Sequence, residues 1–216
     1  MSTTRYLLFN LGFGQWDGDD RCGLTVLARE AHGDHFRKNV RIVVKRWNER
    51  PKAIANDAAK YRNGTMRFAG LLYSYGNANG LQVCRELKKL GVTEGIELFM
   101  IDAVPYPTWM PHAFYTTWLM ARVTTVLNLL FRRPLTIPSN VDRVVFYRQH
   151  QLPPWGVDLV PEDPRTEIVP GPESDEGHVE VTHREIDNDL RVQKAAKEFI
   201  ERFVTARKEG LDDTQH

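Results

Sequence analysis

The sequence contains a serine, an acid and a histidine that could act together in nucleophilic catalysis. They are, in chain order, Ser74, Asp102 and His183. A histidine that accepts the proton of a serine hydroxyl makes that oxygen nucleophilic, and a carboxylate fixes the imidazole in the tautomer that this transfer needs. The sequence therefore predicts a catalytic site in which Ser74 attacks an electrophilic carbon, His183 is the base and Asp102 orients His183.

Ser74 lies between a stretch that predicts a buried strand and one that predicts a helix. The apolar run Phe68–Tyr73 precedes it, and apolar residues recur at helical spacing over Leu81–Leu90. A sharp turn from strand to helix exposes a hydroxyl at the sheet edge and directs N–H groups of the helix toward it. The alternative is that Ser74 only ends the strand and caps the helix, a frequent role of serine. The local sequence supports both interpretations equally.

The candidate acid follows the next predicted strand. Asp102 comes directly after Ile96–Ile101. The carboxyl ends of parallel strands meet at one edge of a sheet, where Ser74 is also expected. This position favours Asp102 over the two other candidate acids, Asp142 and Asp158.

The candidate base lies in a loop before the last predicted helix. His183 precedes Ile186–Arg207, an amphipathic segment that is expected to pack on the sheet. This context favours His183 over His178 and His150, although lone histidines usually have structural or solvent roles. The apolar face of the last helix is predicted to consist of Leu190, Val192, Ala196, Phe199, Ile200 and Phe203.

The elements that must position these residues alternate between strand and helix. Such an order predicts the α/β class, with a mostly parallel sheet flanked by helices on both faces and joined by right-handed crossovers. The predicted strands are Arg5–Leu11, Val40–Lys45, Phe68–Tyr73 and Ile96–Ile101, and the predicted helices between them are Gly23–Ala31, Pro51–Tyr61 and Leu81–Leu90.

The pattern changes after Asp102. Residues 105–150 are expected to form a small helical cap, with an aromatic and proline-rich start, a helix over Ala113–Phe131 and a short helix over Val141–Tyr147. Residues 151–177 read as loop with one short strand at Thr166–Val169. We expect residues 1–208 to form a single domain and residues 209–216 to be a disordered tail.

Composition argues against several kinds of partner. The 29 basic and 28 acidic residues leave a net charge of +1, which provides no field for steering onto nucleic acid. Polar residues interrupt the apolar segment Ala113–Phe131, so we expect no membrane span. The start of the chain lacks the pattern of a secretory signal, and Cys22 and Cys84 are too few for a disulfide framework. A cytoplasmic protein is expected.

Two further motifs match known binding patterns only in part. The acidic cluster Asp17–Asp20 has part of a calcium loop but not the remaining ligand spacing, and a solvated turn is favoured. Gly12-Phe13-Gly14 has two glycines of a dinucleotide fingerprint but not the third. We therefore expect neither a metal nor a nucleotide cofactor.

Four short segments together give the chain, from Arg5 to Phe203, a resemblance to the α/β-hydrolases, and to small esterases and thioesterases among them. The family's G-x-S-x-G elbow is matched at its last three fixed places, and leucine stands where the first glycine belongs. The segments resemble, in order, an oxyanion loop, the nucleophile elbow, an acid loop and a histidine loop: Asn10–Gly14, Leu72–Gly76, Ile101–Pro105 and Thr182–Asp187.

The resemblance implies a serine hydrolase that cleaves a carboxylic ester or thioester through an acyl-enzyme on Ser74. The backbone N–H groups of Phe13 and Tyr75 would stabilise the oxyanion. The substrate would be a small molecule or an acyl carrier. The residues that could line an acyl pocket, or could simply be core, are Trp109, Met110, Phe114, Tyr115 and Trp118.

The alternative belongs to another class of protein. If Leu72 has relaxed the elbow, the chain would be a non-catalytic α/β-hydrolase-like protein whose cap binds a partner. The two hypotheses differ in whether Ser74 is activated. Oligomeric state does not follow from the sequence.

Overall fold

The computed structural model describes residues 4–12, 15–16, 18–35, 40–61, 66–104, 134–151 and 156–206, with the backbone alone at 34 and 35. In chain order the elements are β1 (Thr4–Leu11), α1 (Gly23–His35), β2 (Val40–Arg46), α2 (Pro51–Lys60), β3 (Met66–Tyr73), α3 (Tyr75–Lys89), β4 (Ile96–Ile101), β5 (Leu135–Ile137), β6 (Val141–Tyr147), β7 (Leu159–Pro161), β8 (Glu167–Pro170), a 3-10 helix (Ile186–Asn188) and α4 (Leu190–Thr205).

Six of these strands form one parallel sheet in the order β2-β1-β3-β4-β6-β8. The short strands β5 and β7 pair separately, also in parallel. The central strands are apolar almost throughout because both faces of a parallel sheet are covered by helices. The α/β class predicted from the sequence is confirmed.

The two faces of the sheet carry separate cores. Along β1, Leu7 and Phe9 pack with α1 and α4 on one face, whereas Tyr6 and Leu8 pack with α2 and α3 on the other. Successive side chains of a strand point to opposite faces, so a single apolar strand serves both cores. The prediction of helices on both faces is therefore confirmed.

The prediction of a helix over Val141–Tyr147 is wrong, because this segment is the sheet strand β6. Val141, Val144 and Val145 have the spacing of one helical face, which explains the error. In the structure Val144 faces the α2–α3 side and Val145 faces the α1–α4 side. The end of the proposed cap at residue 150 is wrong for the same reason, while the predicted helix Ala113–Phe131 lies outside the described residues.

The C-terminal helix also differs from its prediction. The segment after residue 185 is a 3-10 helix followed by α4, which starts at Leu190 because the Asp189 side chain accepts a hydrogen bond from the N–H of Arg191. Leu190 is 85% exposed and does not belong to the apolar face, contrary to the prediction. Among the helices that the structure describes, none is long and apolar enough to cross a membrane.

Candidate active site

The structure brings Ser74, His183 and Asp102 together at the carboxyl edge of the sheet. Nε2 of His183 lies 2.9 Å from Oγ of Ser74, and Nδ1 lies 2.5 Å from Oδ2 of Asp102. Ser74 follows β3 and Asp102 follows the adjacent strand β4, so pairing of these two strands sets the distance between them. The loop between β8 and the 3-10 helix supplies His183.

The other candidate acids and bases are engaged elsewhere. Asp142 accepts a hydrogen bond from the N–H of Gly95, and Asp158 pairs with Arg148. The rings of His150 and His178 lie against each other, with centroids 3.9 Å apart. The geometry therefore favours the set predicted first.

Ser74 has the backbone of a strained elbow. Its φ of 54° and ψ of −125° lie in a region that residues other than glycine rarely adopt. Its side chain makes no capping bond to α3, which argues against the helix-cap interpretation. The amide side chain of Asn77 donates to the carbonyl groups of both Ser74 and Ile101, at 2.9 Å each, and so ties the turn to the end of β4.

Leu72 is accommodated by a glycine on the helix that follows. A Cβ built on Gly80 would lie 2.6 Å from both methyl carbons of Leu72, so any larger residue at this position would force Leu72 or α3 to shift. Gly80 thus leaves the space that the Leu72 side chain occupies. A second close approach occurs at Gly76, where a Cβ would lie 2.3 Å from the carbonyl oxygen of Asn10.

Asp102 is fully buried and held by hydrogen bonds from Gln149. The backbone N–H and the side-chain amide of Gln149 donate to its two carboxylate oxygens at 3.3 and 3.1 Å. The Asp102 N–H donates to the carbonyl of Tyr147, and the φ of Asp102 is 43°. These contacts fix a buried carboxylate facing Nδ1 of His183, as orientation of an imidazole requires.

Tyr73, the residue before Ser74, contacts His183 twice. The two rings stack with centroids 5.2 Å apart, and the Tyr73 hydroxyl donates to the carbonyl oxygen of His183. Burial, together with the neighbouring Asp187 and Asp102 carboxylates, raises the pKa of Tyr73 well above its ordinary value. The phenol therefore remains a hydrogen-bond donor over the pH range in which histidine titrates.

Gly12, directly after β1, lies close to Ser74. A Cβ on Gly12 would lie 2.9 Å from Cβ of Ser74 and 2.8 Å from the Tyr73 ring, so Gly12 permits a close backbone approach. Tyr75, one of the two predicted oxyanion donors, is the first residue of α3. The second, Phe13, lies outside the described residues, as do the predicted acyl-pocket residues Trp109, Met110, Phe114, Tyr115 and Trp118.

Sequence reasoning missed several residues around the site, namely Tyr73, Gln149, Gln15 and Asp187. Gln149 follows β6 at the carboxyl edge, and a correct prediction of that strand would have indicated its position. Tyr73 and Asp187 lie within the elbow and histidine-loop motifs, but the local sequence does not predict which residues they contact. Gln15 contacts Asp187 across a sequence separation of 172 residues, which no local pattern indicates.

No protein-family model matches the chain, and no curated protein matches it significantly.

Proposed function

We propose that the protein is a serine hydrolase that cleaves a carboxylic ester or thioester. The observation that carries the proposal is His183, whose two ring nitrogens lie at hydrogen-bond distance from Ser74 and from the buried Asp102. The strained backbone of Ser74 supports it, because strain at a polar residue persists where the surrounding structure enforces it and is concentrated at functional sites.

The residue types define the proposed reaction. His183, with its Nδ1–H donating to Asp102, accepts the Ser74 proton at Nε2 while Oγ forms a bond to the acyl carbon. The tetrahedral intermediate collapses, and His183 returns the proton to the departing alcohol or thiol. Water then attacks the acyl-enzyme with His183 again as the base, releasing the acid and regenerating Ser74.

Stabilisation of the oxyanion is assigned to backbone N–H groups of Tyr75 and of the segment after Gly12. Tyr75 opens α3, whose N-terminal amides carry partial positive charge. Loss of one such donor typically costs about 2.7–4 kcal/mol of barrier.

The fold supports membership of the α/β-hydrolases as part of the same proposal. A parallel sheet, an elbow serine after β3 and an acid after β4 agree with the resemblance read from the sequence. A cytoplasmic location is also proposed. Its support is that both cysteines, Cys22 and Cys84, are buried free thiols, as is usual in reducing compartments.

A fluorophosphonate probe, which phosphonylates activated serines, tests the proposal. We expect labelling of the wild type and none of Ser74→Ala, with far-UV circular dichroism showing that both are folded. Hydrolysis of acyl esters and of acyl thioesters of matched chain length then separates the two substrate classes. Absence of labelling in the wild type would favour the alternative, a non-catalytic binding protein.

A further inference from the structure

A second buried carboxylate lies near the proposed active site, four residues after its histidine. Asp187 is fully buried in the 3-10 helix. Its Oδ2 accepts hydrogen bonds from Nε2 of Gln15 at 2.9 Å and from the N–H of Gly23, the first residue of α1, at 3.0 Å. The Cys22 thiol lies 3.7 Å from the same oxygen. One carboxylate thus joins the histidine loop, the start of α1 and the segment after β1.

Gln15 is in turn hydrogen-bonded to Gly12. Its Oε1 accepts the N–H of Gly12 at 2.9 Å, and its own N–H donates to the Gly12 carbonyl at 3.3 Å. Both peptide groups of Gly12 are therefore engaged by one residue, whose side chain is in turn held by Asp187. Because Gly12 lies close to Ser74, the hydrogen bonds from Gln15 fix the Gly12 backbone at the point where it approaches Ser74.

We propose that Gln15 and Asp187 are positioning residues that hold the backbone of Gly12, where it approaches Ser74, in place relative to the His183 loop. The proposed oxyanion donor Phe13 follows Gly12 directly in the chain. This inference rests on the proposed hydrolase function. The glutamine amide suits the role because one end accepts from a backbone N–H while the other donates to a carboxylate. Methionine at this position reproduces neither bond, and glutamate reproduces both only while it shares a proton with Asp187, which makes the connection testable.

The electrostatic surroundings make the carboxylate pair formed by Gln15→Glu sensitive to pH. Burial raises the pKa of the Asp187 carboxyl and raises that of the facing Cys22 thiol to about 11. The phenol of Tyr73, which also faces Asp187, has a raised pKa as well. Cys22 and Tyr73 therefore stay neutral over the working range, and a pH-dependent charge in this cluster would come from residues 15 and 187.

The test is the pH dependence of Gln15→Glu. When the introduced carboxyl group and Asp187 share a proton, the variant keeps a donor toward Asp187 and an acceptor for Gly12. When both groups ionise, they repel and release the segment. We expect the ratio of variant to wild-type kcat for an ester to fall roughly tenfold or more from about pH 6 to about pH 9, with KM changing less than about threefold. Gln82→Glu, on α3 at the other face of the sheet, adds the same charge and should give a constant ratio.

Gln15→Met fills a similar volume without either hydrogen bond and should lower kcat about tenfold at every pH, again with little change in KM. If Gln15→Glu does not fold at high pH, the kcat of Gln15→Met is the deciding measurement. A constant ratio for Gln15→Glu, or a wild-type kcat for Gln15→Met, overturns the inference even if the melting temperature falls. If the wild type itself neither reacts with fluorophosphonate nor hydrolyses esters, the proposed function fails and the inference with it.

Discussion

The polar side chains at the amino and carboxyl edges of the main sheet, where the strands begin and end, differ in their exposure and in their backbone conformation. At the amino edge, Arg67 and Arg202 form ion pairs with Glu97 at 2.6 and 2.8 Å, and these three side chains are partly exposed. At the carboxyl edge, Ser74 and Asp102 are buried, and both have positive φ. The charged side chains at the amino edge are thus partly exposed and belong to residues with unstrained backbone. The carboxyl edge instead combines a strained backbone with buried polar groups.

This difference separates what maintains the fold from what the fold holds in place. Partly exposed ion pairs add modest stability and do not require a strained backbone conformation. Strain and a buried carboxylate lower stability, and they persist where surrounding contacts enforce them, as Asn77 and Gln149 do here. Substitutions at the carboxyl edge should therefore reduce activity more than stability, and those at the amino edge should do the opposite.

The largest effect is expected for Asp102→Asn. The amide cannot orient His183 as the carboxylate does, and the same change lowers kcat by about 10⁴-fold in a serine protease with a Ser-His-Asp triad. Asp142→Asn is the matched control, since Asp142 also bonds a backbone N–H but lies away from the site, and its kcat should equal that of the wild type. Steady-state ester hydrolysis measures both. Equal activity of Asp102→Asn and the wild type would remove Asp102 from the mechanism.

Gly80→Ala should have the next largest effect, on stability. The added methyl group meets Leu72, and overpacking of this kind typically costs about 1–3 kcal/mol. In a Leu72→Ala background the same change should be nearly neutral or stabilising, because alanine is favoured over glycine in a helix by about 1 kcal/mol. Urea unfolding of the four proteins measures this coupling. Additive effects would show that Gly80 does not compensate for Leu72.

The strained backbone of Ser74 predicts a smaller effect, in which a glycine raises the free energy of unfolding instead of lowering it. Ser74→Gly and Ser74→Ala both remove the hydroxyl, but only glycine relieves the positive φ. Ser74→Gly should therefore be more stable than Ser74→Ala by about 1 kcal/mol, while both are inactive. Thermal unfolding of the two variants under identical conditions compares them. The opposite order of stability would mean that the elbow is not strained in solution.

The smallest effect is expected at the amino edge. Glu97→Gln weakens the ion pairs with Arg67 and Arg202. Because the new amide can still accept a hydrogen bond from a guanidinium, the loss should be about 1 kcal/mol even though Glu97 is only 14% exposed. This loss should shrink as salt is added, because solvated charges are screened. Activity per folded molecule should not change. A large fall in kcat would show that the two edges are coupled.

Local sequence is enough to predict the elements that carry the site. The strands before Ser74 and Asp102 are apolar runs followed directly by polar residues. The predicted bounds of β4 agree with the observed ones, and the predicted run Phe68–Tyr73 ends with β3, which starts two residues earlier, at Met66. Local sequence is not enough where tertiary contacts override the local pattern. The valines of β6 have helical spacing but lie in a sheet buried on both faces, and Leu190 fits a helical face but comes directly after the cap.

The supporting contacts of the site are harder to predict than its three central residues. Serine, acid and histidine are recognised by type, whereas Gln149 and Gln15 gain their roles only from long-range contacts. The N-terminal part of α3 shows the same limit. Gly76 and Gly80 are poor helix formers, and the structure explains them by close approaches to Asn10 and Leu72.

Identification of the residue that reacts with a fluorophosphonate is the most direct test of the central claim, that Ser74 is an activated nucleophile. After labelling, intact-mass measurement counts the adducts and peptide mapping assigns them. One adduct per molecule on Ser74 is predicted, formed at least about 10³-fold more slowly in His183→Ala because the base is missing. Failure of the wild type to react, or an adduct that persists in Ser74→Ala, would contradict the account.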